Sequence, residues 1–537
     1  MQDAHLADHV GELLMFGFEG TTPEELPAEL IAQSSGVILF KRNILSAEQL
    51  RALTDAIRAV PREDGLAPLI ALDQEGGPVS RLAGIGTTTP SAMALGAAHD
   101  PTLTQLMYGI VGDELAALGV SLDLAPVADV NNNPNNPVVG TRSFGDDPTA
   151  VSMHVQTAIR GLRGAGVAAT AKHFPGHGDT TVDSHLDLPT IPHDLARMRM
   201  LELVPFAGAI AERVDVVMTA HVLFPAVEPG DVPATLSPAI LTGLLRNELG
   251  FEGLICTDCM EMNAIAERFS PEEAAFRAVS AGADLVLFSH TVNRVRAAHS
   301  ALCTAVLDGT LAHERVRRSL ERVRSLRARL AHKPPALELV GSAAHQSAAL
   351  EAARRAITLI RDPKGVLPLP LASSERLFVV QFSGAPASAV EDDKRAKAEC
   401  AGPPHSRFVT AIGRALAQGP ARVHEQVRGL DPAGHEYKQM LMAAGSAQVV
   451  VAVTSRAKQH PLQARAVADL AMIGKPMVVI ASREPYDAEV LPPDATVIAS
   501  YGDDPHALRA AADVILGASL PQGKLPVRLS AAASPTH

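Results

Sequence analysis

The sequence of 537 residues contains no tryptophan and only four tyrosines. Proteins that bind long polymeric ligands often lay them across exposed aromatic side chains, and this composition argues against a surface of that kind. A ligand of this protein would be held mainly by polar and charged contacts. The scarcity of aromatic residues therefore favours a small ligand in a pocket.

Cysteine is also scarce, with Cys256, Cys259, Cys303 and Cys400 as the only four. Four scattered cysteines in a chain of this length do not make a disulfide framework. Cys256 and Cys259 form a C-x-x-C pair, but a zinc site would need a second pair or histidines at ligand spacing, and neither accompanies them. We expect this pair to pack at the end of a buried strand, and we predict no metal ion and no cofactor.

Long apolar runs and basic runs are both absent. No stretch approaches the roughly 20 apolar residues of a membrane-spanning helix, and charged and histidine side chains interrupt the first 18 residues, unlike those of a signal peptide. The net charge of −12 argues against nucleic acid or an anionic membrane as a partner, although its simplest consequence is solubility. We expect a cytoplasmic protein with a small-molecule partner. The sequence does not indicate an oligomeric state.

Short apolar runs alternate with amphipathic stretches over the first 330 residues. The runs are apolar on both faces, as parallel strands covered by helices are. The stretches between them carry helix start signals, such as Asp100 before a proline and Ser270 with Glu273 three residues later. Eight such units predict a (β/α)₈ TIM-type barrel. The apolar runs are 13–18, 36–40, 69–73, 121–130, 167–173, 214–221, 253–258 and 283–289.

A proline-containing break follows a long arginine-rich helical stretch at roughly 313–332. Beyond the break we predict a helix over 343–357 and then a smaller α/β domain with an open, mostly parallel sheet. Its apolar runs are 377–381, 449–453, 477–481 and 496–499. The predicted division is a barrel domain at 1–332, a linker at 333–342 and a second domain at 343–537.

Ionisable residues stand at the predicted carboxyl ends of the barrel strands, where the catalytic groups of such barrels project. One buried charge is often structural, but charges from several strands at one rim indicate a polar pocket. The residues at these ends are Asp73, Asp129, Lys172, His173, His221 and Asp258.

The loop that follows the fifth run concentrates ionisable side chains between 172 and 189. Asp183 lies two residues before His185, and an aspartate that holds a nearby histidine makes an acid/base dyad. The simpler alternative is a surface loop with scattered polar residues. His177 has a weaker claim because no carboxylate lies so close to it in sequence.

Asp258 follows an apolar run and is expected at the barrel mouth. A carboxylate there is either a nucleophile that forms a covalent ester or a cap for the helical segment at 260–267. Its position alone does not decide between the two.

Four segments carry motifs that stand out along the barrel part of the sequence. They are Leu-Asp-Gln-Glu-Gly-Gly at 72–77 with Arg81, Arg-Ser-Phe-Gly at 142–145, Lys-His-Phe-Pro-Gly-His-Gly at 172–178 with Asp-Ser-His at 183–185, and Thr-Asp at 257–258 with Met260. These motifs resemble glycoside hydrolase family 3, and within it the β-N-acetylglucosaminidases. The resemblance is strong in the barrel, weak after it, and covers nearly the whole chain. A departure from the family pattern is Pro78, where related enzymes often carry a basic residue.

The resemblance implies a role for each matching residue. Asp258 would be the nucleophile, and His185, supported by Asp183, would be the general acid/base. The sugar-binding set at the non-reducing end would be Asp73, Arg81, Arg142, Lys172 and His173.

The implied activity is that of a retaining exo-β-N-acetylglucosaminidase acting on peptidoglycan fragments in cell-wall recycling, with chitin oligosaccharides as the alternative substrate. A histidine acid/base repels anions less than a carboxylate does, which leaves a β-N-acetylglucosaminide phosphorylase as an alternative. The nearest alternative is a family-3 β-glucosidase or β-xylosidase. Such an enzyme would normally draw its catalytic acid from a carboxylate elsewhere in the chain, so the Asp183-Ser184-His185 loop argues against it.

Two alternatives come from other classes of protein. One is an inactive barrel that only binds sugar, against which the presence of both Asp258 and His185 argues. The other is a metallohydrolase using His173, His177 and His185, whose intervals do not resemble a zinc-binding helix motif.

Overall fold

Eight parallel strands close into a barrel in the computed structural model, which describes residues 3–330, 333–369, 375–384 and 422–530. Around the barrel the order is β1-β10-β9-β8-β7-β6-β3-β2, so that strands adjacent in sequence are neighbours once the β4-β5 hairpin is set aside. The predicted (β/α)₈ barrel is confirmed. The strands are β1 Leu14–Phe16, β2 Gly36–Ile38, β3 Leu69–Leu72, β4 Gln74–Gly76, β5 Val79–Ser80, β6 Leu122–Asp123, β7 Ala168–Phe174, β8 Val216–Thr219, β9 Leu254–Cys259 and β10 Leu285–Phe288.

The fourth barrel strand, β6, is much shorter than the apolar run at 121–130 indicates. It pairs with β3 and β7 through Leu122 and Asp123 only. Pro126 follows shortly, and a proline has no N–H to donate to a strand ladder. The rest of the run stays beside its neighbours through single hydrogen bonds and an isolated bridge at Val127, with the Leu124 N–H donating to the Leu72 carbonyl and the Ala128 N–H donating to the Lys172 carbonyl. It carries Asp129 to the barrel mouth.

Helices cover the outside of the barrel and begin at the expected capping residues. The Asp100 side chain accepts a hydrogen bond from the Thr102 N–H, and the Ser270 side chain accepts one from the Glu273 N–H. The helices of this part are Asp3–Asp8, Ala28–Gln33, Ala47–Arg58, Ala92–Ala97, Pro101–Ala117, Pro148–Gly164, Leu195–Met200, Leu203–Ala211, a π-helix at Ala239–Glu248, Asn263–Ala266, Pro271–Ala281, Val292–Leu307 and His313–Arg329.

A six-stranded sheet forms the second part, in the order β11-β16-β15-β14-β12-β13. Only β11 runs antiparallel to its neighbour, and the other pairs are parallel, which confirms the predicted open, mostly parallel sheet. The strands are β11 Thr358–Arg361, β12 Arg376–Phe382, β13 Arg422–Arg428, β14 Val449–Thr454, β15 Met477–Ala481 and β16 Thr496–Ala499. The helices are Ala343–Ala356, Gly434–Gly445, Pro461–Ala471 and Pro505–Ile515.

The short helix Ala92–Ala97 joins the barrel to the second sheet. Its Met93 and Ala94 belong to the apolar core of the second part, and the Lys524 N–H donates to the Ala97 carbonyl at 2.9 Å. On the barrel side, a Cβ on Gly96 would lie 1.8 Å from the Phe144 carbonyl oxygen, so only glycine allows this approach. The second part therefore supports one wall of the barrel mouth. The domain boundaries themselves stay a prediction.

Among the described residues, no helix combines the length and apolar character needed to cross a bilayer. Cys256 and Cys259 are buried free thiols in β9, as expected for the C-x-x-C pair, and Cys303 is a partly buried free thiol. Cys400 lies outside the described residues.

Candidate active site

A cavity of about 760 Å³ opens at the carboxyl ends of the barrel strands. The structure brings seven of the eight predicted site residues to its wall, and places Asp183 behind His185. The seven are Asp73, Arg81, Arg142, Lys172, His173, His185 and Asp258.

Asp183 and His185 form a hydrogen-bonded pair. Oδ1 of Asp183 lies 2.8 Å from Nδ1 of His185 and also accepts the His185 backbone N–H at 2.8 Å. Because a carboxylate only accepts hydrogen bonds, Nδ1 carries the hydrogen, and Nε2 is the nitrogen that can exchange a proton with a ligand. Burial would raise the pKa of Asp183, but its bonds to His185 hold that pKa below the usual value, so Asp183 is ionised at neutral pH.

Residues 175–188, called the dyad loop below, are held by their neighbours. A Cβ on Gly178 would lie 1.7 Å from the Val130 carbonyl oxygen, so the loop backbone lies directly against the segment after β6. At the other end, Asp187 pairs with Arg268 at 2.8 Å. These contacts fix the loop between the segments that follow β6 and β9, with His185 facing the cavity.

Asp258 does not cap the following helix. The first helix after it, Asn263–Ala266, has Met262 at its N-cap, and Oδ1 of Asp258 accepts the N–H of its own neighbour Cys259 at 2.7 Å. The cap alternative is therefore wrong, which removes the structural explanation that the sequence left open.

The charge state of Asp258 suits a nucleophile. Burial would raise the pKa of this carboxyl, but the charges of His221, His173 and His185 outweigh burial and hold the pKa below its usual value. Asp258 is therefore ionised at neutral pH. It is also partly accessible and lines the cavity, so an electrophilic carbon bound there can reach it.

Glu75, to which the sequence analysis assigned no role, is the centre of a buried charge network. Arg142 donates to both of its carboxylate oxygens, from Nε and Nη2, at 2.8 Å each. Lys172 Nζ lies 2.7 Å from Oε1 of the same carboxylate. Burial would raise the pKa of Glu75, but Arg142 and Lys172 together hold it far below the usual range. Glu75 therefore fixes two predicted sugar-binding side chains in place.

Asp73 and Lys172 present a paired acceptor and donor to the cavity. Oδ1 of Asp73 lies 2.9 Å from Lys172 Nζ, and Oδ2 lies 3.5 Å from Nη2 of Arg81. Such a pair can bind two neighbouring hydroxyl groups of a small polar ligand, one donating and one accepting.

His173 is oriented by Asp129, a second residue without an assigned role. Oδ2 of Asp129 lies 2.7 Å from Nδ1 of His173, while its Oδ1 accepts the backbone N–H of His177 at 2.7 Å. Nδ1 of His173 therefore carries the hydrogen, and Nε2 remains for a ligand. The position of Asp129 at the end of a predicted apolar run was the signal that could have identified this role.

His177 supports the dyad loop from within. Its ring nitrogens lie 2.8 Å from the Thr180 hydroxyl and 3.0 Å from the Ser184 hydroxyl. Burial lowers its pKa to about 4, so the ring is neutral at neutral pH. Both ring nitrogens of His177 are therefore engaged within the loop, so it offers no free nitrogen to the metal ion that the metallohydrolase alternative requires. In the described ranges, the convergent metal-ligand atoms belong to other residues.

The described part of the second domain contributes nothing to the cavity wall. All the described residues that line the cavity lie between Glu19 and His290.

The sequence and the structure are both similar to those of known glycoside hydrolases. Residues 5–326 match the family described as "Glycosyl hydrolase family 3 N terminal domain". A β-hexosaminidase A of Pseudoalteromonas piscicida is 31% identical over 558 residues, covering 95% of this chain and 92% of the relative. A β-hexosaminidase of Alkalilimnicola ehrlichii is 41% identical over 282 residues, covering 51% of this chain and 79% of the relative.

The solved structure of a glycoside hydrolase family 3 β-N-acetylglucosaminidase from Paenibacillus sp. str. FPU-7 is similar over the whole length. The TM-score is 0.88 and the identity 39%, with 97% of this chain and 98% of that chain covered. Together with the charged cavity at the barrel mouth, these similarities establish that the chain belongs to glycosyl hydrolase family 3 and is a glycoside hydrolase.

Proposed function

We propose that this enzyme is a retaining exo-β-N-acetylglucosaminidase in which Asp258 is the nucleophile and His185 the general acid/base. The observation that supports this most strongly is that the Asp183–His185 pair opens onto the same cavity as the ionised Asp258. The names of the relatives, β-hexosaminidases and a β-N-acetylglucosaminidase, support the N-acetylhexosamine specificity.

In the first step, a carboxylate oxygen of Asp258 attacks the anomeric carbon while Nε2–H of His185 protonates the leaving oxygen. The bond between the sugar and the leaving group breaks, and a glycosyl ester of Asp258 forms. Asp183 accepts the hydrogen bond from Nδ1 throughout and stabilises the imidazolium before the proton is transferred.

In the second step, the neutral His185 takes a proton from water, and the water oxygen attacks the anomeric carbon from the opposite side. The ester bond breaks and Asp258 is regenerated. Two inversions give net retention of configuration. A histidine stands here where most retaining enzymes have a second carboxylate.

The remaining polar residues hold the terminal sugar. Asp73 accepts hydrogen bonds from its hydroxyl groups and Lys172 donates to others, while Nε2 of His173, whose Nδ1–H donates to Asp129, hydrogen-bonds to a further hydroxyl. Arg81 and Arg142 complete the charged wall, with Arg142 fixed by Glu75. A pocket closed on one side by such groups supports removal of one sugar at a time from the non-reducing end.

We further propose peptidoglycan fragments as the natural substrate and cell-wall recycling in the cytoplasm as the setting, with chitin oligosaccharides as the second candidate. The free thiols Cys256, Cys259 and Cys303 support a reducing compartment. Rates on a muropeptide disaccharide and on chitobiose, measured side by side, distinguish the two substrate classes.

The test of the activity is turnover of p-nitrophenyl β-N-acetylglucosaminide and p-nitrophenyl β-glucoside, each with and without phosphate, with an Asp258→Asn variant as the blank. We expect strong preference for the N-acetyl substrate and no effect of phosphate. Acceleration by phosphate with release of a sugar 1-phosphate would make the enzyme a phosphorylase. Preference for the glucoside would contradict the assigned specificity.

A further inference from the structure

A second cluster of ionisable side chains lies outside the catalytic cavity, at the base of the dyad loop. One potential ligand atom from each of Asp179, His193 and Glu202 lies within 4.8 Å of the other two. None of the three lines the cavity. We propose that these residues form a binding site for a divalent transition-metal ion of the zinc class.

The geometry requires only a small adjustment to accept such an ion. Oδ2 of Asp179 lies 2.5 Å from Nε2 of His193, whereas ligand atoms around a tetrahedral zinc ion stand about 3.4 Å apart, given bonds of about 2.1 Å. The Asp179 and His193 side chains are 25% and 30% exposed, so both can move apart and admit an ion from solvent. Glu202 is almost fully buried and supplies a fixed third ligand.

The donor set selects the class of metal. One imidazole nitrogen and two carboxylate oxygens, with water in the fourth position, suit zinc and its neighbours in the first transition row. Calcium and magnesium prefer oxygen ligands throughout and would not use His193.

Arg197 is the group that opposes metal binding. Its Nη1 lies 3.0 Å and 2.9 Å from the two carboxylate oxygens of Glu202. A carboxylate has about four lone-pair sites, so Glu202 can keep a bond to Arg197 while one oxygen binds an ion. The guanidinium charge nevertheless repels a second cation.

The position of the site gives it a structural consequence. Asp179 lies within the dyad loop, before Asp183, and His193 lies after the loop. Glu202 lies directly under the start of the loop, since a Cβ on Gly176 would be 2.9 Å from Glu202 Cβ. A bound ion would therefore tie the loop to the chain that follows it and to the start of the helix Leu203–Ala211. We expect slower amide exchange across 180–192 when the ion is bound.

The test is zinc titration of the chelator-treated full-length protein by calorimetry, followed by cobalt substitution. We expect one site, with the visible absorption of a tetrahedral cobalt centre. His193→Gln and, independently, Asp179→Asn should each weaken zinc binding at least tenfold while keeping the thermal midpoint of the wild type. Arg197→Gln should tighten binding. Zinc should slow amide exchange over 180–192 in the wild type and not in His193→Gln.

Two variants serve as matched controls. His460 forms a similar pair with Asp431 at 2.7 Å, and none of the convergent ligand sets in the described residues includes them, so His460→Gln should leave zinc binding unchanged. His185→Gln should also leave it unchanged. Loss of zinc binding in His185→Gln would place the ion in the dyad and overturn the proposal. Unchanged zinc binding in His193→Gln, or no zinc binding to the wild type, would overturn it as well.

Discussion

Replacing Glu75 with glutamine tests the charge network beneath the cavity. The carboxylate accepts from Nε and Nη2 of Arg142 and from Lys172, at 2.7–2.8 Å. A glutamine of the same shape has one acceptor oxygen, so its NH₂ group must face at least one of these N–H donors. Two buried cations would share the remaining oxygen, and Lys172 would keep its bond to Asp73.

The magnitude follows from burial. The side chains of Glu75 and Arg142 are 3% and 2% exposed, and breaking a buried ion pair by removing one partner costs about 3–5 kcal/mol. We expect the free energy of unfolding to fall by that amount at neutral pH. We also expect kcat/KM to fall roughly ten- to a hundredfold, because Arg142 and Lys172 lose the anchor that positions them.

The loss of stability in Glu75→Gln should depend on pH. Burial would raise the pKa of Glu75, but the two cations hold it well below the usual range in the folded state. Its contribution to stability is therefore full above the unfolded pKa of about 4.3 and is lost as the pH falls below that value. The difference in stability between wild type and Glu75→Gln should accordingly shrink in acid.

The assay is urea unfolding followed by circular dichroism, since the chain has no tryptophan to report by fluorescence. Glu248→Gln is the control, because the side chains of Arg199 and Glu248, which form an ion pair, are 51% and 40% exposed. This substitution should change the free energy of unfolding by less than about 1 kcal/mol. A Glu75→Gln variant as stable as Glu248→Gln, or a loss that is the same at every pH, would refute the reasoning.

Three further predictions concern the dyad and its support. His185→Ala should lower turnover of unactivated substrates by about 10²–10⁴, and less for activated leaving groups, as measured by steady-state kinetics; an unchanged rate would contradict its role. Asp183→Asn should reduce turnover less than His185→Ala, because the hydrogen bond to Nδ1 remains while the charge is lost; an equal effect would argue against a supporting role. Burial lowers the pKa of His177 to about 4, so the unfolded chain binds the extra proton first and the wild type loses stability between about pH 6.5 and 4. His177→Gln should show a smaller loss over that range in acid-unfolding curves, and an identical slope would mean that His177 is not the source.

The barrel could be predicted because its strands are short apolar runs, and because charged residues follow several of them. The prediction was weakest where the sequence has no continuous apolar run. β13, over Arg422–Arg428, has only two apolar residues, Val423 and Val427, and lies at the sheet edge, partly exposed, so no apolar run marked it. The strand β6 is shorter than its apolar run because only Leu122 and Asp123 keep the regular strand pairing, although single backbone hydrogen bonds to the neighbouring strands continue as far as Ala128.

The candidate site could be predicted for residues that face the cavity, and less well for those behind them. Asp73, Glu75 and Lys172 all stand in the family-like motifs, but the role of Glu75 depends on Arg142 and Lys172, which lie far from it in sequence. Its spacing was still informative, since residues two apart in an extended segment point to the same side, as Asp73 and Glu75 do. Asp129 was placed at the rim, but its bond to His173 required the fold.

The most direct test of the central claim is covalent trapping with a slow fluorinated N-acetylglucosaminyl substrate, followed by mass spectrometry of the intact protein and its peptides. The account predicts one added glycosyl group, located on Asp258, and no labelling of Asp258→Ala. Labelling of another residue, or turnover with inversion and no trapped ester, would contradict the assignment of Asp258 as the nucleophile.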